Sequence, residues 1–393
     1  LGIMSLFDVY PLFDVTPVKG RDVYIYDQNN TEYLDLYGGH AVISIGHAHP
    51  AYVSAITEQL QHIGFYSNAV QNPLQNLLAE KLEKLSNCTD YQLFLCNSGA
   101  EANENALKLA SFHTRKPKVL AFKNAFHGRT SATVAVTDNS KIVAPLNAQH
   151  KVDFVEVGDL NAVEHIFKQG ETCAVIIEAI QGVGGLDETC LGFYRGVADL
   201  CKTYNVCLIA DEVQSGYGRS GDFFAFQKFG VEPDIISMAK GMGNGFPVGG
   251  ILIHPNIKAS YGLLGTTFGG NHLACRAALA VLEVIEKQNL MQNALHMSTY
   301  FKNKAKYVKG LRAFKGRGLM LGLEFDFPVA DLRKKLLYNQ KIFTGSSKNP
   351  NLVRILPPLT IQEHHWDQFF SALQIELDNL LTIKNDEKLY QYK

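Results

Sequence analysis

From Gln92 onward the chain repeats one pattern: a short, nearly continuous apolar segment followed by a stretch with helical spacing. The apolar segments are 92–96, 118–122, 152–155, 173–178, 206–210, 235–238 and 249–253, and helical patterns fill 101–114, 161–169 and 193–204 between them. A strand that is apolar at nearly every position must be covered on both faces, unlike one that alternates with polar residues. Such strands, separated by helices, predict an α/β domain with a mostly parallel sheet flanked by helices. Its expected extent is 50–285, opening with helical patterns at 50–63 and 73–85. The flanks read differently. Segments 23–26 and 33–36 predict a hairpin around Asp27-Gln28-Asn29-Asn30. A helix at 273–288 leads into another helix, strands at 318–325 and 352–356, and a last helix at 362–381. That predicts a small α+β domain over 286–393, joined by the N-terminal segment 1–49.

Composition narrows the partners. Of 393 residues, 46% are apolar and 19% charged, and the net charge is −1. A core is therefore available, and no long charged run favours nucleic acid or an anionic membrane surface. A small-molecule substrate is expected. The seven cysteines (Cys88, Cys96, Cys173, Cys190, Cys201, Cys207, Cys275) show no metal-ligand spacing, and several lie in apolar runs. They read as buried free thiols of a reducing compartment, and no metal site is expected. No apolar run is long enough to span a membrane. Leu6, Phe7 and Val9 are apolar, but no basic segment precedes them and Pro11 and Asp14 follow, so a signal peptide is not expected. The expected location is the cytoplasm.

In open α/β sheets, ligands bind beyond the carboxyl ends of the strands. Three strand ends are informative. The first is Cys96-Asn97-Ser98-Gly99-Ala100-Glu101-Ala102-Asn103. A helix starting there offers free N–H groups and a dipole to an anion, the dipole being worth roughly 0.3 to 2 kcal/mol. Read alone, Ser98 and Glu101 equally make an ordinary capping box. The second, Leu208-Ile209-Ala210-Asp211-Glu212-Val213-Gln214, delivers two carboxylates, which alone suggest a turn cap. The third, Asp234-Ile235-Ile236-Ser237-Met238-Ala239-Lys240-Gly241, delivers a lysine that alone reads as a solvated residue. Together, a phosphate cradle, an acid and a lysine at neighbouring strand ends are the parts that pyridoxal 5'-phosphate requires.

These residues carry a resemblance. The segments Asn97-Ser98-Gly99-Ala100-Glu101-Ala102-Asn103, Phe126-His127-Gly128-Arg129-Thr130, Asp211-Glu212-Val213-Gln214, Ser237-Met238-Ala239-Lys240-Gly241 and Thr266-Thr267-Phe268-Gly269-Gly270-Asn271 resemble the class III aminotransferases of fold type I. The chain is most similar to the acetylornithine/succinylornithine branch, from about Tyr10 to about Leu380. The resemblance implies the PLP-transferase fold. It also implies that Lys240 carries the cofactor and moves the proton, and that Asp211 pairs with the ring nitrogen. Gln214 would bond the ring hydroxyl, Ser98, Gly99 and Ala100 the phosphate, and Phe126 would stack on the ring. His127 and Glu178 belong to the same cofactor-binding set. Thr267 would reach the cofactor of a neighbouring subunit, which implies a homodimer with shared active sites. Arg129 would hold a distal substrate carboxylate and Arg354 the α-carboxylate of glutamate or 2-oxoglutarate; planar bidentate pairing suits arginine to both. Without the motifs, both arginines read as surface ion pairs.

Two departures matter. Where the family shows Glu-Pro-Ile-Gln-Gly-Glu, this chain has Glu178-Ala179-Ile180-Gln181-Gly182-Val183. The missing second glutamate commonly pairs with the arginine that Arg354 matches, so Arg354 is expected to be gated differently or to stay available. His40, in Gly38-Gly39-His40-Ala41-Val42, lies where users of free ornithine tend to have a tyrosine, although Tyr37 is close. This favours an N-acylated ornithine as amine donor, with 2-oxoglutarate as acceptor, in arginine biosynthesis. The alternatives are free ornithine, another enzyme of the class (ω-aminotransferase, aminomutase or decarboxylase), and a non-catalytic protein that kept the fold.

Overall fold

The computed structural model describes residues 6–390, with side chains to residue 380. Strands β1 (Pro17–Arg21), β2 (Tyr24–Asp27) and β3 (Glu32–Asp35) form an antiparallel meander. The expected β2–β3 hairpin is present, and Asp27 makes its turn. The Asp27 Oδ1 accepts the N–H groups of Asn29 (2.8 Å) and Thr31 (2.9 Å), an acceptor role suited to a short carboxylate in a turn. β1 was not anticipated, because its sequence, Pro17-Val18-Lys19-Gly20-Arg21, has little apolar character and is mostly exposed.

The central sheet contains β4 (Gln92–Cys96), β5 (Lys118–Phe122), β6 (Val152–Val155), β7 (Thr172–Ile177), β8 (Cys207–Asp211), β9 (Ile235–Met238) and β10 (Gly249–Ile253), in the order β4-β10-β9-β8-β7-β5-β6. Every predicted apolar segment is a strand. β5 to β9 are joined in parallel, and β10 runs antiparallel to both β4 and β9. The short link from Met238 to Gly249 explains the exception, since a parallel return needs a crossover of about a dozen residues or more. All residues of β7 and β8 are buried, which matches their unbroken apolar sequence. Helices cover both faces. The helix Gly99–Thr114 packs across β7 to β10 through Ala102, Ala106, Leu107, Leu109 and Ala110. Asn205 in left-handed conformation ends the helix Leu191–Tyr204 just before β8.

After the helices His272–Lys287 and Leu290–Ala305, β11 (Leu311–Arg317), β12 (Met320–Phe325) and β14 (Leu352–Ile355) make an antiparallel sheet. The short β13 (Ile342–Phe343) instead pairs in parallel with β3, beside the N-terminal meander. One core runs through all of this. Leu34 and Leu36, Leu208 and Met238, and Val353 and Trp366 belong to the same buried cluster. Among the described residues, no helix is long and apolar enough to cross a membrane.

Candidate active site

β8 is the middle strand of the central sheet, so its carboxyl end lies between the ends of β9 and β7. Around these ends is a cavity of about 360 Å³. Asp211, Gln214, Lys240, Ser98, Gly99, Ala100, Phe126, His127, Arg129 and Glu178 all line it, drawn from segments far apart in sequence. Of the residues anticipated from sequence, Thr267 and Arg354 are absent from the lining. Thr267 is exposed, and Arg354 lies behind Gly182 and Val183.

The first strand end is both cap and cradle. Ser98 Oγ accepts the Glu101 N–H at 3.1 Å, and Glu101 Oε2 accepts the Asn97 N–H at 2.9 Å. The cap therefore exists, and it starts a 16-residue helix whose first residues, Gly99 and Ala100, line the cavity. Residue 99 must be glycine: a Cβ there would lie 2.5 Å from Val213 Cγ1. The close packing of Val213 fixes the helix start, whose free N–H groups suit an anion.

Asp211 is 4% exposed and has both oxygens engaged. Oδ1 accepts the Val213 N–H (3.0 Å), which is the turn-cap role. Oδ2 accepts from Asn103 Nδ2 (2.8 Å) and from His127 Nδ1 (2.7 Å). Asn103 Nδ2 also donates to the His127 carbonyl (2.8 Å), so one amide joins the helix, the Phe126–His127 turn and the acid. Asn103 was missed as a site residue. Its signal was present, because it stands four residues after Gly99 and so on the same helix face. Glu178 accepts the N–H groups of Phe126 (3.0 Å) and Gly182 (2.9 Å), and burial pushes its carboxyl above the ordinary range.

Lys240 follows β9 in a left-handed conformation, φ +45°. For a side chain other than glycine this costs roughly 1–3 kcal/mol and persists only where surroundings enforce it. Burial pushes its ammonium below the usual lysine range; the Asp211 and Glu178 carboxylates oppose that shift and Arg354 adds to it. The lysine is therefore not the solvated residue that its local sequence suggests.

Arg354, on β14, is 3% exposed, which rules out a surface ion pair. Its Nη1 donates to the Gly182 carbonyl at 2.6 Å, one residue from Val183, and its Nε has no partner. A main-chain carbonyl thus stands where a carboxylate was missing from the sequence. Arg129 is exposed at the cavity wall. His40 lies in a turn, Gly38–Ala41, in which all four residues have φ between +53° and +67°. Its ring is beside the Tyr37 hydroxyl (2.5 Å to Nδ1), and burial together with the Arg354 and Lys240 charges pushes its titration down to about 4.

Buried Asn103 Oδ1, His127 Nε2 and Gln214 Oε1 have no hydrogen-bond partner among the described residues, and all three side chains line the cavity. Such groups cost about 1–3 kcal/mol each when left unpaired, so the cavity suits a polar ligand. An acid for a ring nitrogen, an acceptor for a ring hydroxyl, a helix start for a phosphate and a low-titrating amine together fit pyridoxal 5'-phosphate.

Comparison with known proteins agrees. Residues 8–377 match the family described as Aminotransferase class-III. The acetylornithine aminotransferase of Bacillus subtilis (strain 168) is 38% identical over 379 residues, covering 94% of this chain and 97% of the relative. That of Aquifex aeolicus (strain VF5) is 40% identical over 381 residues, covering 94% and 98%. Among solved structures, the ornithine aminotransferase of Toxoplasma gondii ME49 superposes with a TM-score of 0.88 at 25% identity, covering 96% of this chain and 92% of that one. With a family match over nearly its whole length and the lysine, acid and helix start gathered at one cavity, the chain belongs to the class-III aminotransferases.

Proposed function

We propose that this protein is a pyridoxal-phosphate-dependent δ-aminotransferase that converts an N-acyl-ornithine and 2-oxoglutarate to the semialdehyde and glutamate, in arginine biosynthesis. The observation that carries the reading is the convergence of Lys240, Asp211 and the Gly99 helix start on one cavity, in a chain 38–40% identical to acetylornithine aminotransferases. When bound, the cofactor supplies an electron sink for the bond broken at the substrate carbon. The rest falls to the chain. Lys240 Nζ would hold the cofactor and move the substrate proton, and burial, which pushes its ammonium below the usual lysine range, favours the neutral amine that this role needs. Asp211 would pair with the ring nitrogen and favour its protonated form, with Asn103 and His127 fixing the acceptor oxygen. Gln214 receives the ring hydroxyl and Phe126 covers the ring face. Ser98, Gly99 and Ala100 receive the phosphate.

Arg129 takes the distal carboxylate of the amine donor. Arg354, restrained by the Gly182 carbonyl rather than by an acid, takes the α-carboxylate of glutamate or 2-oxoglutarate. The neutral His40 ring beside Tyr37 supports an acylated donor over free ornithine. Thr267 reaches a neighbouring subunit's cofactor in a homodimer with shared active sites; its exposure on one chain agrees with that. The chain acts in the cytoplasm. It divides into an N-terminal segment 1–49, a cofactor domain 50–285 and a small domain 286–393, with the β3–β13 pairing as support for the first joining the last.

The test is a half-reaction. The cofactor-loaded protein is mixed with N-acetyl-ornithine, N-succinyl-ornithine or ornithine without acceptor, and the visible absorbance is followed. Loss with an acylated donor, reversed by 2-oxoglutarate, is the expected result. Response to ornithine alone makes the free amino acid the donor. No response to any of the three removes the ornithine assignment and leaves another amine or the mutase reading.

A further inference from the structure

The shape of the Lys240 loop is enforced from outside the central sheet. Residues 36–47, which follow β3, cross the loop and are bonded to it by two buried side chains. Ser44 Oγ donates to the carbonyl of Gly241, the residue after Lys240, at 2.7 Å. Asn244 Oδ1 accepts the N–H groups of Ser44 (2.8 Å) and Ile45 (3.0 Å), and Asn244 Nδ2 donates to the Gly46 carbonyl (2.9 Å). Ser44 and Asn244 are 2% and 6% exposed, so no water replaces these bonds without opening the packing. Asn244 is itself left-handed, φ +47°, like Lys240.

The same crossing segment is tied to the other half of the site. The Leu356 N–H donates to the Leu36 carbonyl and the Leu359 N–H to the Ser44 carbonyl, each at 2.7 Å, just after Arg354 on β14. One stretch of main chain therefore bonds both to the loop of the lysine and to the strand of the arginine. A lysine in the left-handed region relaxes toward negative φ once its neighbours release it, and that rotation swings the amine.

We propose that Ser44 and Asn244 are positioning residues: they hold the Lys240 loop in its left-handed form and set the lysine amine against the Arg354 strand. This rests on the reading of Lys240 as the cofactor lysine.

The experiment compares cofactor-loaded wild type, Ser44→Ala and Asn244→Ala by pH titration of the visible absorbance, by kcat and KM, and by melting temperature. In Ser44→Ala the loosened loop exposes the amine, so the titration midpoint moves up by about one pH unit. Misplacement of a reacting group lowers kcat by roughly tenfold, while KM for donor and acceptor stays within about twofold. An unshifted midpoint with wild-type kcat overturns the proposal. So does a lowered melting temperature with no spectral shift, which is what a purely structural hydroxyl gives. Should Asn244→Ala fail to fold, Ser44→Ala, which deletes one bond, decides alone. Should wild type load the cofactor yet turn over no N-acyl-ornithine, the functional reading fails while the titration still judges Ser44.

Discussion

Asp211 ends β8 and Lys240 follows the adjacent β9, in different surroundings. Asp211 accepts from three N–H donors, which fix its carboxylate in place. Lys240 is half-buried at a strained φ, and desolvation pushes its ammonium below the usual lysine range. Lys240→Ala is expected to lower kcat by at least about 10³-fold, in keeping with loss of a group that both binds and transfers a proton. Activity at the wild-type rate in that variant refutes the mechanism. Val183 is the other informative residue. A Val183→Glu carboxylate stands beside the Gly182 carbonyl that now holds Arg354 and competes for its guanidinium. The ratio of kcat/KM for N-acyl-ornithine to that for glutamate should rise several-fold, about 1 kcal/mol of differential binding. An unchanged ratio means that residue 183 does not gate Arg354. Gly182's role was not legible in the sequence, since a main-chain acceptor has no residue signature, whereas Asn103 was marked only by its helical spacing from Gly99.

At the scale of elements, β8 shows how one strand serves site and core at once. Asp211 faces the cavity while Glu212, the next residue, turns into the protein and is 1% exposed. Its oxygens accept from Ser215 Oγ and from the Ala225 and Phe226 N–H groups, pinning the loop that follows the strand. Burial nevertheless pushes its carboxyl up to about 7 from an ordinary 4.5. The folded state thus holds this proton more tightly than the unfolded state. The stability it contributes is full below about pH 4.5 and is lost as the pH rises through about 7, roughly 3 kcal/mol in all. In Glu212→Gln, urea unfolding at pH 5 and pH 8 should differ by that much less than in wild type. Glu178 is shifted in the same direction, so the slope shrinks without vanishing. An undiminished slope assigns the effect elsewhere. The sequence showed two carboxylates at the strand end; only alternation of side chains about a fully buried strand separates the one that faces the ligand from the one that holds the loop.

For the whole molecule, the proposed homodimer turns on the loop bearing Thr267, which is exposed. Phe268 is exposed and packs at a tilt against exposed Phe65, with ring centroids 5.4 Å apart, and Tyr66 and Val70 are exposed nearby in sequence. Clustered exposed aromatics of this kind mark an interaction surface. The homodimer reading predicts that sedimentation at micromolar concentration gives a dimer. It also predicts that Phe268→Glu shifts the protein toward monomer and that Thr267→Ala weakens cofactor binding without dissociating it. A wild-type monomer that binds the cofactor fully ends the shared-site reading.

The apolar segments determined the central sheet from sequence alone, because a strand buried on both faces has no other way to be written than as a continuous apolar run. Ordered motifs at strand ends marked Lys240, Asp211 and the Gly99 turn for the same reason: each chemical task admits few residue types. The direction of β10, the pairing of β13 with the N-terminal strands, and the Asn103, Gly182 and Ser44 contacts were decided only by tertiary structure. These depend on which backbone groups meet across long sequence separations. A carbonyl or an amide looks the same at every position of the chain, so its partner is set by packing and topology and not by local residue pattern.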